Sequence, residues 1–363
     1  MFTLNIPINS VSFGQTSIAI LRELYARGIE PHIFPIGPVD LSAQKNDDSF
    51  NNKVRTGLNS ALLKHNRNML TVKLWHLSGG IESFGNSQVL ITFYELDSPT
   101  KEEINACKNN TKVIFTSKYA QRTFEDCGVT NTAFIPLGFD SYSFYRKDKE
   151  YFKDRTTFNL AGKFEKRKNH PKIIASWVKK FGNNPKYSLQ CAIYNPFMSP
   201  EENKALLPQL TGGQRIGNIT FCGVMATNED YNDYLNSADI MIGMSGGEGF
   251  GLPEFQSVAL GKHAVIMNAH GYKSWATAEN SVLVNPSGKM PAYDGKFFVQ
   301  NTPFNQGNIY DFNEEEFIAG CEAAIERVGK NKVNEEGLKL QTTHSIKTVV
   351  DKLLDVINEC EKK

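Results

Sequence analysis

Short apolar runs alternate with amphipathic segments along almost the whole chain, and this alternation is the strongest constraint on its fold. FTLNIPI, PHIFPIG, MLTVKLW, VLITFYEL, KVIFTS and TAFIPLG read as strands. TSIAILRELYARG, residues 54–66, TKEEINACKN and KYAQRTFEDCG read as the helices between them, the first with Ile18, Leu21 and Leu24 at helical spacing and a stop at Gly28. A polar stretch, FYRKDKEYFKDRTT, interrupts the order at residues 144–157. The alternation then restarts with strands FNLAG, YSLQCAIY, NITFCG, DIMIGM and HAVIMN, separated by helices NHPKIIASWVKKFG, residues 201–207, NEDYNDYLNSA and PEFQSVALG. A last helix is expected over residues 345–360. Strands alternating with helices predict parallel sheets covered on both faces. The expected fold is therefore α/β, with two doubly wound, Rossmann-like domains facing a cleft. Residues 1–144 form the first domain, 145–157 the linker, 158–340 the second domain and 341–363 a terminal segment. In such sheets ligands bind beyond the carboxyl ends of the strands.

Length and charge narrow the functional classes. A chain of 363 residues suits two domains, each with its own core. Forty basic against thirty-nine acidic residues leave a net charge of +1, which argues against binding to nucleic acid or membrane through bulk charge. No apolar run is long enough for an integral membrane segment. The opening MFTLNIPINS has no signal-peptide pattern, and the six cysteines include no Cys-x-x-Cys pair, so a cytoplasmic protein with reduced thiols is expected. No His-x-x-x-His or Asp-x-Asp spacing occurs, Asp47-Asp48 reads as a polar loop, and no metal site and no cofactor are expected. One local exception stands out. Residues 49–81 contain Lys53, Arg55, Lys64, Arg67 and Lys73 but no acid, a charge suited to an anionic acceptor such as a headgroup, an acidic glycan or DNA.

Two loops carry candidate chemistry. In SGGEGFGLPEFQSVALG, residues 245–261, glycines at 246, 247, 249 and 251 let a ligand approach the backbone closely. Pro253 fits a first helical turn and Gly261 its stop, so the segment reads as a glycine-rich loop opening a helix. Free N–H groups and the helix dipole make such a place an anion site. The second loop holds Lys163, Lys166, Arg167 and Lys168 between a strand and a helix, where cations can stabilise a developing diphosphate charge.

The stretch SADIMIGMSGGEGFGLPEFQSVALGKHAVIMNAHG resembles the donor-binding signature of the retaining GT-B glycosyltransferases of family 4, also called group 1. VSFGQTSIAILREL with Gly14, TSKYAQRTFEDCGV, IPLGFDSYSF, LAGKFEKRKNHPKII and NITFCGV resemble further family segments in the same order, over about residues 14–284. The resemblance implies a nucleoside-diphosphate-sugar donor, most simply a UDP-sugar, bound by Lys163, Arg167, Lys168, Gly249, Phe250, Gly251, Leu252 and Gln256 of the second domain, with Gly14 of the first. It implies an acceptor bound by the first domain and a terminal helix that crosses back to it. Glu248 matches the first glutamate of the family pattern, which is placed against the donor sugar. The second glutamate, placed on the ribose, falls on Gln256 here; Glu254 lies about 200° away around the helix and cannot replace it.

On the acceptor side many members have a histidine after the strand matching VLITFYELD, where this chain has Tyr94, followed by Glu95 and Asp97. Glu95, then Asp97, then His76 are the candidate catalytic groups beside Glu248, with Tyr94, Lys53, Arg55 and Lys64 as acceptor contacts. The implied reaction is retaining transfer to a hydroxyl on a saccharide or glycoconjugate. The alternatives are transfer to hydroxymethylated bases in DNA, a different reaction on the same fold such as phosphorolysis or epimerisation, and a catalytically impaired binding module.

Overall fold

The computed structural model describes residues 2–361. In the first half, strands β1 (Thr3–Ile6), β2 (His32–Pro35), β3 (Thr71–Leu74), β4 (Gln88–Thr92), β5 (Lys112–Phe115) and β6 (Thr132–Phe134) make one parallel sheet in the order β2-β1-β3-β4-β5-β6. Helices α1 (Ser12–Ala26), α2 (Asp48–Lys64), α3 (Lys101–Lys108) and α4 (Lys118–Glu125) connect them. In the second half, β7 (Thr156–Gly162), β8 (Tyr187–Ile193), β9 (Ile219–Phe221), β10 (Ile240–Gly243), β11 (His263–Met267) and β12 (Val282–Val284) pair in the order β12-β11-β10-β7-β8-β9. Helices α5 (His170–Phe181), α6 (Pro200–Leu210), α7 (Asn228–Ser237) and α8 (Leu252–Ala259) cover that sheet. Central strands such as β1, β3, β10 and β11 are buried at every residue, because helices or loops lie on both faces. The two-domain doubly wound reading is thus correct.

Three details depart from the sequence reading. Helix α2 starts at Asp48 rather than residue 54: the Asp47 carboxylate accepts the Phe50 N–H at 3.0 Å, so the acidic pair caps and opens the helix instead of forming a loop. Residues 145–155 are irregular, while 156 and 157 of the expected linker already belong to β7, and the irregular stretch lies along α7: the Tyr145 and Lys147 N–H groups donate to Asn232 and Asn236 at 3.2 and 2.8 Å. The region after β12 is more structured than its polar composition suggests. It forms an antiparallel hairpin, β13 (Pro286–Pro291) and β14 (Asn308–Phe312), then α9 (Glu314–Lys330), α10 (Glu335–Leu338) and α11 (Leu340–Thr343).

The halves are joined twice more. The chain leaves the first half at Gly138 and Phe139 and returns beside itself, with the Phe139 N–H donating to the His344 carbonyl at 2.7 Å. Gly138 permits this contact: a Cβ there would lie 2.7 Å from the Ile346 Cα. The terminal helix α12 (Ile346–Glu361) then buries Val349, Val350, Leu353 and Ile357 in the first half's core, beside α1. The hairpin makes the other connection. Ala292, Phe298 and Ile309 share a core cluster with Leu77, Tyr94 and Leu96 of the first half. Asp97 clasps it, accepting from the Asn308 N–H and pairing with Lys289, both at 2.8 Å.

Asp97→Ala should lower unfolding free energy by about 1–3 kcal/mol, because it orphans a part-buried N–H as well as breaking the ion pair. Urea unfolding measures this. An unchanged midpoint, with no gain in proteolysis within residues 293–306, would show that the clasp does not hold the hairpin.

Candidate active site at the interdomain cleft

The second sheet has its topological switch between β7 and β10, which are neighbours while their connections run to opposite sides. Both glycine-rich and basic loops leave from these two strand ends, so the ligand crevice of this sheet lies between them. The loop after β10 enters α8 at Gly251, whose φ of +85° and whose contact with Tyr272, 2.1 Å from a would-be Cβ, leave room only for glycine. Gly249 and Gly247 face the first half instead. A Cβ on Gly249 would sit 2.7 Å from the Phe93 Cβ, and one on Gly247 3.0 Å from the Glu95 carbonyl. The Thr116 hydroxyl donates to the Gly249 carbonyl at 3.1 Å. The glycines therefore serve domain contact as much as ligand approach.

A charge network fills the crevice. Arg167 is buried, with Nε 2.8 Å from Glu165, Nη1 3.0 Å from Glu248, and Nη1 donating to the Gly247 carbonyl at 2.7 Å. Lys168 Nζ lies 2.5 Å from the same Glu248 oxygen, and Lys163 Nζ lies 2.6 Å from Glu165. Burial alone would raise the Glu248 pKa, but Lys168 and Arg167 outweigh it and hold the carboxyl at about 2. Burial likewise opposes ionisation of Glu165 and is overcome by Arg167 and Lys163, so its pKa is lowered. Within these ion pairs three cations meet two carboxylates. Lys166 points elsewhere, donating to the Pro291 and Tyr293 carbonyls at 2.7 and 3.0 Å.

The first half contributes Glu95 and His76. Glu95 is only part-exposed and its pKa is raised, first by lost hydration; Arg167 opposes the shift and Glu248 adds to it. His76 reaches solvent at one edge, but its crowded ring loses hydration, and Lys163 and Arg167 repel its proton, so its pKa falls to about 4. It is neutral at pH 7. Gly247, whose carbonyl accepts from Arg167, lies against the Glu95 backbone, which places Glu95 opposite the basic loop.

Other candidates fall outside this cluster. Tyr94 is a correction: its ring is buried in the hairpin core, 4.8 Å from the Phe124 ring centroid, and it cannot meet an acceptor. Asp97 is a second correction, since it is committed to the hairpin. Gly14 lies in the first turn of α1, where a Cβ would strike the Asn9 carbonyl at 2.3 Å, so its role is to let the loop after β1 fold over the helix. Phe250 belongs to the second half's core, and Gln256 is buried along α8. Leu252 begins that helix and is only partly buried.

The basic stretch is not one face. Lys73 is buried in β3, donating to the Gly79 and Glu82 carbonyls at 2.6 and 2.9 Å. Lys53 pairs with Glu30 at 3.9 Å, while Arg55 and Lys64, nine residues apart, project to opposite sides of α2. Glu165 and Ser245 are network members that pattern reading passed over. Glu165 hides within the basic run, and Ser245 donates to the Arg167 carbonyl at 3.2 Å. Among the described residues no group of three or more His, Cys, Asp or Glu is placed to hold a metal ion, and no helix is long and apolar enough to cross a membrane.

No protein-family model matches the sequence, and no curated protein sequence matches it. Solved structures do match. Sucrose-phosphate synthase from Thermosynechococcus elongatus superposes with a TM-score of 0.70 at 14% identity, over 99% of each chain. HepE from Anabaena, in complex with UDP-glucose, gives 0.68 at 15% identity over 99% of this chain and all of that one. A glycosyltransferase from Rickettsia africae gives 0.68 at 13% identity over 100% and 99% of the two chains. The chain has the GT-B fold of these glycosyltransferases.

Two substitutions probe the site's physics. Gly249→Ala should cost about 1–3 kcal/mol by forcing the loop off Phe93, whereas Gly288→Ala, whose Cβ would meet nothing, should leave the urea midpoint unchanged. Equal midpoints for both would deny the close domain contact. Glu254, in the first turn of α8, is buried beside Tyr272; lost hydration raises its pKa to about 7, with Lys168 opposing and Glu248 adding. A raised acid pKa means that the folded state holds the proton more tightly than the unfolded one. Its stabilising share is complete below the ordinary carboxyl value and is lost as pH rises towards 7. Melting temperature against pH should therefore fall less steeply over that window in Glu254→Gln than in the wild type, and parallel curves would refute the assignment.

Proposed function

We propose that this protein is a retaining glycosyltransferase acting in the cytoplasm, moving a glycosyl group from a UDP-sugar to a hydroxyl of a saccharide or glycoconjugate. The observation that carries the reading is the convergence of the α8 N-terminus, Arg167, Lys168 and Glu248 at the β7/β10 switch point. The likeness to HepE, solved with UDP-glucose, supports the nucleotide class.

In this reading the donor diphosphate lies against the N-terminus of α8 and the side chains of Lys163, Arg167 and Lys168. Glu248 accepts hydrogen bonds from donor-sugar hydroxyls, and Gln256 serves the nucleotide ribose with a neutral amide. The bond from the anomeric carbon to the phosphate oxygen breaks as a bond from that carbon to the acceptor oxygen forms on the same face. The acceptor proton passes to the departing phosphate. Charge growing on that phosphate is met by cations already in place, which is the main source of rate enhancement such a site offers. No metal ion is needed for this step, so transfer should persist in EDTA.

Thermal-shift titration with UDP, ADP and GDP tests the site directly. UDP should raise the melting temperature, and Lys168→Ala should weaken UDP binding by about 1.5–3 kcal/mol. Glu248→Gln frees two cations, so UDP affinity should be kept or improved while sugar transfer and donor hydrolysis fall. A protein that binds none of the three nucleotides, or a Lys168→Ala variant that binds UDP normally, would overturn the proposal. Binding of UDP-sugar with neither hydrolysis nor transfer would mark an impaired module.

A further inference from the structure

We infer that the first-half wall of the cleft is a sugar-stacking platform for an uncharged saccharide acceptor, built from Phe13, Trp75, His76 and Phe93. The inference rests on the glycosyl-transfer reading and specifies its acceptor. Three neighbouring strands each deliver an aromatic residue to the same place. Phe13 stands in the first turn of α1 after β1, Trp75 directly follows β3, and Phe93 directly follows β4. The β1/β3 pair is the topological switch of the first sheet, the position where a doubly wound sheet opens a ligand crevice.

The rings form one group. Phe13 stacks on Phe93 at 4.2 Å with planes 21° apart, and lies 4.6 Å from His76 and 5.7 Å from Trp75. Trp75 and His76 meet edge to face at 5.2 Å. Phe13 and Phe93 pack on the first half's core with part of each left accessible, Trp75 is part-exposed and His76 is exposed. The glycine-rich loop of the second half lies against Phe93, where a Cβ on Gly249 would sit 2.7 Å from the Phe93 Cβ, and Arg167 of the basic loop donates to the Gly247 carbonyl in that same loop. An acceptor on this platform therefore faces the donor site.

Chemistry selects the occupant. Aromatic faces take the C–H face of a pyranose, and polar ring edges and carboxylates take its hydroxyls. Glu95 supplies the carboxylate two residues beyond Phe93. The lysine of β3, Lys73, is buried on backbone carbonyls, and lost hydration together with Lys163 and Arg167 favours the neutral form of His76. The cations of the cleft stand on the opposite wall, paired with Glu165 and Glu248, so an acceptor lying on the rings meets aromatic faces and a carboxylate, which suit a neutral sugar.

Tryptophan fluorescence reads the platform, because Trp177 and Trp275 are sealed at 0% and 3% exposure and only Trp75 can report a ligand. The protein, saturated with UDP, is titrated with neutral mono- and oligosaccharides bearing gluco-, galacto- and manno-configured ends. Sulfated oligosaccharides and a single-stranded oligonucleotide serve as comparisons. At least one neutral saccharide should change the emission saturably, and Trp75→Phe should abolish the signal while calorimetry still detects binding. Phe13→Ala and Trp75→Ala should each weaken saccharide binding by about tenfold or more, with UDP affinity unchanged. Phe13→Leu keeps apolar bulk without a ring face and should weaken binding as well, which covers the case in which truncation unfolds the protein. The inference is overturned if no neutral saccharide binds, if only the sulfated sugar or the oligonucleotide binds, or if the ring variants bind saccharide normally. Saccharide binding by a protein that fails to bind any nucleotide would instead leave the platform standing and remove glycosyl transfer.

Discussion

A guanidinium shut away from water holds this cleft in shape. Arg167 ties Glu165 to Glu248, donates to the Gly247 carbonyl, and through its own carbonyl accepts the Gly246 N–H at 2.7 Å. The basic loop and the glycine-rich loop are therefore one unit. Burying such a group is costly, and a hydrophobic cluster of the same volume would often be at least as stable. Removing one partner of a buried pair costs about 3–5 kcal/mol, because the survivor is left uncompensated. What the network provides in return is a positive field fixed before any ligand arrives. Solvent supplies no such preorganisation, since water must reorient at each event.

That field is useful only if the opposite wall is held at a fixed distance, and here three features hold it. The paired chain crossing at Phe139 and His344 sets the back of the cleft. The hairpin of β13 and β14 buries Phe298 and Ile309 in the first half's own core and donates backbone N–H groups to Asp97 and, from Asn305, to Glu103. The glycines at 247 and 249 let the loop touch Glu95 and Phe93 directly. Two domains joined by a small polar interface are expected to rock freely. In this molecule, opening the cleft means withdrawing apolar side chains from a neighbour's core, so the closed arrangement is favoured by burial as well as by chain connectivity.

The sequence made the sheets legible because apolar runs and amphipathic segments alternate cleanly, and it made the second half's loops legible because their glycines and lysines are dense. It was mute where the signal is tertiary. Nothing in PSGKMP marks a strand: its residues are mostly exposed and include two prolines, and only pairing with β14 makes it one. Asp97 and Tyr94 looked like site residues because they follow a strand end, yet the hairpin, distant in sequence, claims both. Lys73 counted towards a basic patch, but it lies at a buried strand position where Gly79 and Glu82 present carbonyls. Glu165 was overlooked because a single acid among lysines looks like charge dilution, and only geometry reveals it as their counter-ion.

The same geometry sets the proton affinities of the groups that face the basic loop. His76 lies on the first-half wall of the cleft, but with its pKa near 4 it is a weak base. Glu95 is the stronger base, because loss of hydration raises its pKa, yet Arg167 draws on its charge from across the cleft. A diphosphate placed on Lys168 and Arg167 would compete with Glu248 and Glu95 for those cations. Both carboxyls would then hold protons more readily, since opposite charge nearby is what favours ionisation. The wall facing the basic loop thus carries one carboxyl whose proton affinity is raised and one imidazole whose proton affinity is lowered.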